Sequence, residues 1–394
     1  MSKRIIIIGN GGAGNAALEE IIKHAPDSKI TVITKEAIPI YYRPMLSEYI
    51  SEPDIPKRFF LHDQAWYDSN KVKIMYRTEV ESIDRINQSV LLSSGELLKY
   101  DALLITTGSH NFIPPMPGAK LENVVDLRTK ADADKIKEKA PSSKKVAIIG
   151  GGLLGLELGW QLKLLNPSIE ITVIEMMDRL LPRQLDAESS EIFEKKVALA
   201  GIQILKGVQT QEIVGESQVT GVKLTNGDII DADLVAFSIG IRADVQLAKQ
   251  ADLAINRGII VNDFMQTSVE HIYAAGDCAE YENINYAIWP EAVEQGKVAG
   301  LNAIGMSTVY EPVTPFNIYH GMNMRLFSIG DVGGNPANTY EIVHQGDEEN
   351  FEKYFYVMDK LVGGILMGNI AKSGKLKKAV ADNMTKNDFE ALFK

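Results

Sequence analysis

Two short glycine runs carry the clearest chemical signal in this chain. Gly9, Gly11 and Gly14 follow Ile5-Ile6-Ile7-Ile8, and Gly150, Gly152 and Gly155 follow Val146-Ala147-Ile148-Ile149. In a G-x-G-x-x-G turn the first glycine makes the tight bend. The second lets backbone approach a pyrophosphate, and the third lets helix pack on strand. The phosphates then rest on a helix N-terminus, where free N–H groups and the helix dipole favour negative charge. One such run is weak evidence; two, each after an apolar stretch, point to two bound dinucleotides. A carboxylate about 20 residues past the fingerprint takes the ribose hydroxyls. Glu175 stands there for the second run. It accepts from a 2′-OH and repels a 2′-phosphate, which predicts NADH rather than NADPH, although Arg179 and Arg183 lie nearby. For the first run that position is Thr34, and Glu36 two residues on is its substitute.

The elements that must hold these residues repeat. Ile30-Thr31-Val32-Ile33 recurs as Ile171-Thr172-Val173-Ile174, at the same 141-residue offset that relates Gly9 to Gly150. Each copy reads as strand, glycine turn, helix, strand, a βαβ unit. The continuous Ile/Val runs suit parallel strands buried on both faces. Strands are expected at Tyr100–Thr106, Asp233–Ile239, Ile259–Asn262, His271–Ala275 and Phe351–Met358. A hairpin is expected around Asn226-Gly227 and a helix at Glu291–Ala303. Pro114, Pro115, Pro117 and Gly118 punctuate a crossing between lobes.

Composition sets the outer bounds. The chain has 394 residues, enough for two or three domains. Hydrophobic residues make up 45% and charged residues 24%, which excludes a disordered chain, a collagen and a coiled coil. The net charge of −11 argues against nucleic-acid binding. The single cysteine, Cys278, excludes an internal disulfide and four-cysteine metal sites, and points to the cytoplasm. No stretch approaches the length of a membrane helix. The six histidines show no ligand spacing, so no metal is expected.

With these motifs in view, the chain resembles the FAD-dependent pyridine nucleotide–disulfide oxidoreductase family over roughly residues 1–310. Thr106-Thr107-Gly108 is similar to the family's flavin-contacting turn. Ser238-Ile239-Gly240 is similar to its glycine turn at the end of the NAD lobe. Tyr273-Ala274-Ala275-Gly276-Asp277 is similar to its late FAD motif, whose aspartate accepts from ribityl hydroxyls. Tyr41-Tyr42-Arg43-Pro44-Met45-Leu46-Ser47-Glu48, with the basic segment Lys375–Val380, is similar to the NADH:rubredoxin reductase branch. Ferredoxin reductases of the family carry a lysine where this chain has Glu48.

The resemblance implies an α/β fold: two Rossmann-like lobes in the glutathione-reductase arrangement plus a C-terminal α+β domain. Residues 1–112 and 242–309 would form the FAD domain, 113–241 the NAD domain, and 310–394 an interface domain. It implies FAD contacts at Gly9, Gly11, Gly14, Glu36, Arg43, Pro44, Val80, Thr107, Gly108, Gly276 and Asp277. It implies NADH contacts at Gly150, Gly152, Gly155, Glu157, Glu175 and Gly240. Arg43 would set positive charge by the flavin, and Glu157 would accept from the nicotinamide carboxamide; a helix-surface glutamate is the plain alternative. Trp289 would cover the nicotinamide, or serve as a core tryptophan. The helix near Glu291 would direct its N-terminus at the flavin. The residues around position 42 include no cysteine, so the thiolate of the disulfide reductases and NADH oxidases is missing, and Cys278 reads as a packing residue. The lysines 372, 375, 377 and 378 read as a solvated face, or as a dock for a small acidic carrier.

The implied activity is electron transfer from NADH through flavin to a small electron-carrier protein, rubredoxin above all, by a monomer or homodimer. The alternatives are another acceptor (a ferredoxin, a nitrite reductase partner, a quinone or oxygen), or a flavin-bound redox sensor or scaffold. The acceptor, the oligomeric state, the flavin potential and the partner of the FAD ribose are not legible in the residues.

Overall fold

A computed structural model describes residues 2–393. Contacts divide them into two units. The first holds residues up to Met45, Ile55–His110 and Ile241–Pro312; the second holds Leu46–Asp54, Asn111–Gly240 and the chain from Val313.

The first unit is built on a parallel sheet in the order Ile272–Ala274, Ala102–Ile105, Arg4–Ile8, Lys29–Ile33, Lys73–Met75. Ile5, Ile6, Ile7 and Ile8 are all buried, as a β-branched run covered on both faces must be. The helix Gly12–His24 lies beside the helix Trp289–Ala303. Small residues allow the close approach. A Cβ on Gly296 would stand 2.2 Å from the Ala13 carbonyl oxygen, and one on Gly300 2.6 Å from that of Ala17. The second helix starts at Trp289, two residues before the expected Glu291. Pro290 in its first turn gives up an N–H that has no partner there in any case.

The second unit repeats the plan. Its parallel sheet runs Ile202–Lys206, Glu170–Glu175, Lys145–Ile149, Leu234–Phe237, Val124–Asp126. Ile149 pairs with Ile174 as Ile8 pairs with Ile33, so the 141-residue offset extends to the register. The Asn226-Gly227 turn joins two antiparallel strands, Val219–Leu224 and Ile229–Asp231.

The C-terminal segment adds a five-stranded antiparallel sheet, ordered Phe316–Gly321, Met324–Gly330, Lys360–Met367, Phe351–Val357, Glu341–Gly346. The helices Ser373–Ala381 and Lys386–Ala391 cover a core of Phe327, Tyr354, Leu366, Leu376 and Phe389. The expected strand to Met358 stops at Val357, because Met358 and Asp359 take left-handed φ of 48° and 62° to make the turn. No described helix is long and apolar enough to cross a membrane.

Lys353 explains why this segment groups with the middle of the chain. It is 4% exposed, and its Nζ donates to Asp186 Oδ2 and Glu188 Oε2. Asp186 also caps the helix Ala187–Leu199 through the Ser189 N–H. Ser328 Oγ adds a 2.6 Å bond to the Gln184 carbonyl. Lys353 is buried, whereas the Asp186 and Glu188 side chains are 20% and 49% exposed, so water partly solvates the carboxylates that its removal leaves. Lys353→Ala is therefore expected to lower unfolding free energy by about 2 kcal/mol, the loss of charge-assisted hydrogen bonds, read from urea denaturation. A change below about 0.5 kcal/mol, the scale of an ordinary surface substitution, would show that the pair does not hold this sheet.

Candidate functional site

The two glycine turns share one geometry. Gly9 has φ +108°, and a Cβ on it would stand 2.1 Å from the Thr106 carbonyl oxygen. Gly150 has φ +111° and would meet the Ser238 carbonyl oxygen at 2.2 Å. Gly14 would meet the Gly9 oxygen, and Gly155 the Gly150 oxygen, each at 2.3 Å. These four glycines are required by the protein's own packing. Gly11 and Gly152 are not: nothing lies within 4 Å of a Cβ on either. Both are helix N-caps without a side-chain cap, and neither helix has an acid in its first turn. Bare backbone over free helix N–H groups fits a diphosphate at each turn.

Around the second turn, Glu175 ends its strand with the carboxylate folded onto the glycine loop. Oε2 accepts from Gly151 N–H at 2.7 Å and Oε1 from Met177 N–H at 2.8 Å. Arg179 is turned to Asp178 and the Pro182 carbonyl, while Arg183 is exposed. Gly240 has φ +100° and open space above it.

Around the first turn, Thr106 Oγ1 donates to the Ile8 and Gly9 carbonyls. Thr107 Oγ1 donates to the Asp244 carbonyl, and Gly108 has φ +73°. Gly276 N–H donates to Gln295 Oε1, and Asp277 Oδ2 accepts from Ser109 Oγ at 2.8 Å. Thr34, in the acid position, is buried, and its Oγ1 accepts from Glu36 N–H. Glu36 is engaged by protein. Its Oε1 accepts from Arg43 Nη2 at 2.7 Å and its Oε2 from Tyr41 OH at 2.8 Å, with the Arg43 guanidinium over the Tyr41 ring. Arg43 therefore faces a carboxylate of its own chain. Pro44 follows in a short turn, and the Val80 side chain is in the core of the first unit. The Trp289 ring lies beside the first turn: a Cβ on Gly12 would stand 3.3 Å from it, and Tyr42 meets it edge-on at 5.2 Å. Cys278 is fully buried, and its thiol donates to the Ile105 carbonyl; burial pushes its pKa up.

Glu157 belongs to the second unit, on the helix Leu153–Leu165. Burial pushes its carboxyl up to about 7; the Ser47 hydroxyl at 3.2 Å partly opposes this and Glu48 adds to it. Ser47, Ser51 and Gln161 were not singled out as site residues from the sequence. The short helix Leu46–Ser51 is held to Leu153–Leu165 by Ser47 to Glu157 and by Ser51 Oγ to Gln161 Oε1 at 2.5 Å. The serines are four positions apart, as are their acceptors, but that match shows only once the two helices are known to be neighbours. Tyr49 OH adds a bond to Asp134, with Lys130 and Lys137 over its ring.

A carboxyl whose pKa is raised on folding costs stability as pH climbs from the ordinary value to the raised one. Glu157→Gln does not titrate. It is expected to be more stable than the unaltered chain at pH 8, by up to about 3 kcal/mol, with the difference closing towards pH 4.5. Urea midpoints at the two pH values check this; an unchanged difference would mean that Glu157 is not desolvated.

Residues 3–296 match the family described as pyridine nucleotide-disulphide oxidoreductase, and residues 315–384 match the rubredoxin NAD+ reductase C-terminal domain. Nitrite reductase (NAD(P)H) of Bacillus subtilis is 35% identical over 95% of this chain, which spans only 46% of that relative's length. The assimilatory nitrate reductase electron transfer subunit of the same organism is likewise spanned over 48%. NADH-rubredoxin oxidoreductase of Clostridium acetobutylicum is 31% identical over 99% of this chain and 98% of its own. The crystal structure under that name matches with a TM-score of 0.83 at 29% identity, covering 98% of this chain and 96% of its own. The chain belongs to the pyridine nucleotide-disulphide oxidoreductase family, whose members work with FAD and a pyridine nucleotide.

Proposed function

We propose that this protein is an FAD-dependent NADH oxidoreductase that delivers electrons to a small electron-carrier protein of the rubredoxin kind, without an active-site thiol. The observation that carries the reading is the pair of glycine turns, each with a middle glycine that no protein atom requires. FAD, when bound, takes up a hydride from NADH and gives electrons on singly. One NADH then reduces two one-electron carriers and releases one proton.

The chain's residues have separate tasks in this reading. The turns at Gly9–Gly14 and Gly150–Gly155 hold the diphosphates of FAD and NADH. Asp277 accepts from the ribityl chain, and Thr107 and Gly108 shape the backbone beside it. Glu175 accepts from the NADH ribose. Glu157, protonated for part of the time near neutral pH, hydrogen-bonds the nicotinamide carboxamide. The buried Cys278 thiol takes no part. For function we keep three domains: 1–112 with 242–309 for FAD, 113–241 for NADH, and 310–394 as an interface domain. The match of residues 315–384 supports the last of these and favours rubredoxin as acceptor. The 35% identity to a nitrite reductase supports a second reading, delivery to a nitrite-reducing partner.

The test is anaerobic NADH consumption by the holoenzyme with and without rubredoxin, following bleaching of the rubredoxin iron chromophore. Fast bleaching is expected; flavin reduced by NADH beside oxidised rubredoxin would remove this acceptor. Nucleotide choice is checked separately. Glu175→Ala combined with Met176→Arg exchanges a carboxylate for a phosphate partner. It is expected to move the NADH/NADPH ratio of kcat/KM towards NADPH by on the order of 100-fold. An unchanged ratio would exclude Glu175 as the ribose residue.

A further inference from the structure

The first unit carries an aromatic ledge that the reading above does not use. Residues 40–42 and 59–61 run antiparallel. Tyr41 bridges Phe60, Tyr42 N–H donates to the Phe59 carbonyl at 2.7 Å, and Leu61 N–H donates to the Ile40 carbonyl. Ile40, Tyr41 and Phe59 are buried, with the Tyr41 and Phe59 rings stacked at 5.0 Å. That inner layer makes the ribbon rigid. Tyr42, Phe60, Leu61 and Ile55 remain 37%, 36%, 41% and 45% exposed. Scattered exposed apolar residues are ordinary; four on one short ribbon and its lead-in mark a contact surface.

Two observations say what contacts it. The ledge adjoins the first dinucleotide turn, because Tyr42 touches Trp289 and the Trp289 ring covers Gly12. Its lead-in carries Lys57 and Arg58, both exposed, and neither makes a hydrogen bond or ion pair among the described residues. The chain as a whole, with net charge −11, repels an acidic partner at long range, so exposed cations set beside an apolar surface supply the local attraction such a partner needs. The other basic candidate is largely engaged. Lys372 pairs with Glu352, Lys375 donates to the Leu392 carbonyl, and Lys377 lies over the Phe316 ring. An apolar centre beside unpaired charge, close to a cofactor turn, matches what a brief electron-transfer encounter needs.

We propose that the ledge of Tyr42, Phe60 and Leu61, with Lys57 and Arg58 beside it, docks a small acidic one-electron carrier protein. This rests on the acceptor reading given under Proposed function. The aromatic side chains provide the contact, and the two cations raise the association rate by local attraction.

The test uses FAD-loaded protein, NADH, and rubredoxin or the small neutral acceptor menadione. Lys57→Glu/Arg58→Glu is expected to raise KM for rubredoxin at least tenfold and to flatten its salt dependence. Menadione reduction and FAD content are expected to stay within twofold. Lys377→Glu/Lys378→Glu is expected to leave the rubredoxin KM within twofold. An unchanged KM in the first variant, or a loss in the second instead, overturns the docking site alone. Loss of FAD or of menadione reduction in the first variant also overturns it, because the ledge then belongs to the cofactor site. If the unaltered holoenzyme reduces menadione and leaves rubredoxin oxidised, the acceptor reading falls and the docking site falls with it.

Discussion

The structure depends on a close approach between backbone and backbone at two places. Where Gly9 leaves its strand, its Cα faces the Thr106 carbonyl so closely that no side chain fits. Where Gly150 leaves its strand, the Ser238 carbonyl does the same. Each approach lets a neighbouring parallel strand lie at hydrogen-bonding distance through to its last residue, as Ile8 with Ile105 and Ile149 with Phe237. Each also turns the chain abruptly into a helix whose first N–H groups are left without side-chain caps. In the reading proposed above, the fold and the phosphate cradle are therefore one constraint. A larger residue at Gly9 would disturb the sheet, whereas a Cβ at Gly11 would meet no protein atom within 4 Å.

Charge is distributed on the same logic. Glu175 accepts two backbone N–H bonds, Glu36 faces the Arg43 guanidinium, and Asp277 accepts a serine hydroxyl. Glu157 has one hydroxyl and a neighbouring acid, in a buried setting. Burial pushes its carboxyl up to about 7, which, in the reading proposed above, suits hydrogen bonding to an amide. Burial is the chief cause, and the neighbouring Glu48 adds negative potential to it.

What was legible in the residues was what recurs at short range. Strand, turn, helix and register repeat at 141 residues because each copy is a local pattern of apolar period and glycine spacing. What was not legible joins residues far apart. Ser47 reaches Glu157 across 110 positions, and Lys353 reaches Asp186 across 167. Neither leaves a periodic mark. The segment Leu46–Asp54 reads as a continuation of the first lobe, yet its contacts lie with the second, because Tyr49 and the two serines find their partners there. Arg43 was visible as a cation but not its partner. The choice of Glu36 depends on Tyr41, whose ring orients both.

In the function proposed above, the lone cysteine bears on the route by which electrons leave. Cys278 is packed against the Ile105 carbonyl with its thiol held neutral, so it offers no thiolate for exchange. In the acceptor reading proposed above, a chain without a thiol relay needs a surface where a second redox centre can come near the first. Such a surface must be rigid enough to preserve distance and apolar enough to shed water, while remaining weak enough to release its partner. The stacked layer of Tyr41 and Phe59 beneath exposed Tyr42 and Phe60 meets the first two demands. Two cations rather than an extended charged face meet the third, since attraction of that size speeds encounter without holding the product.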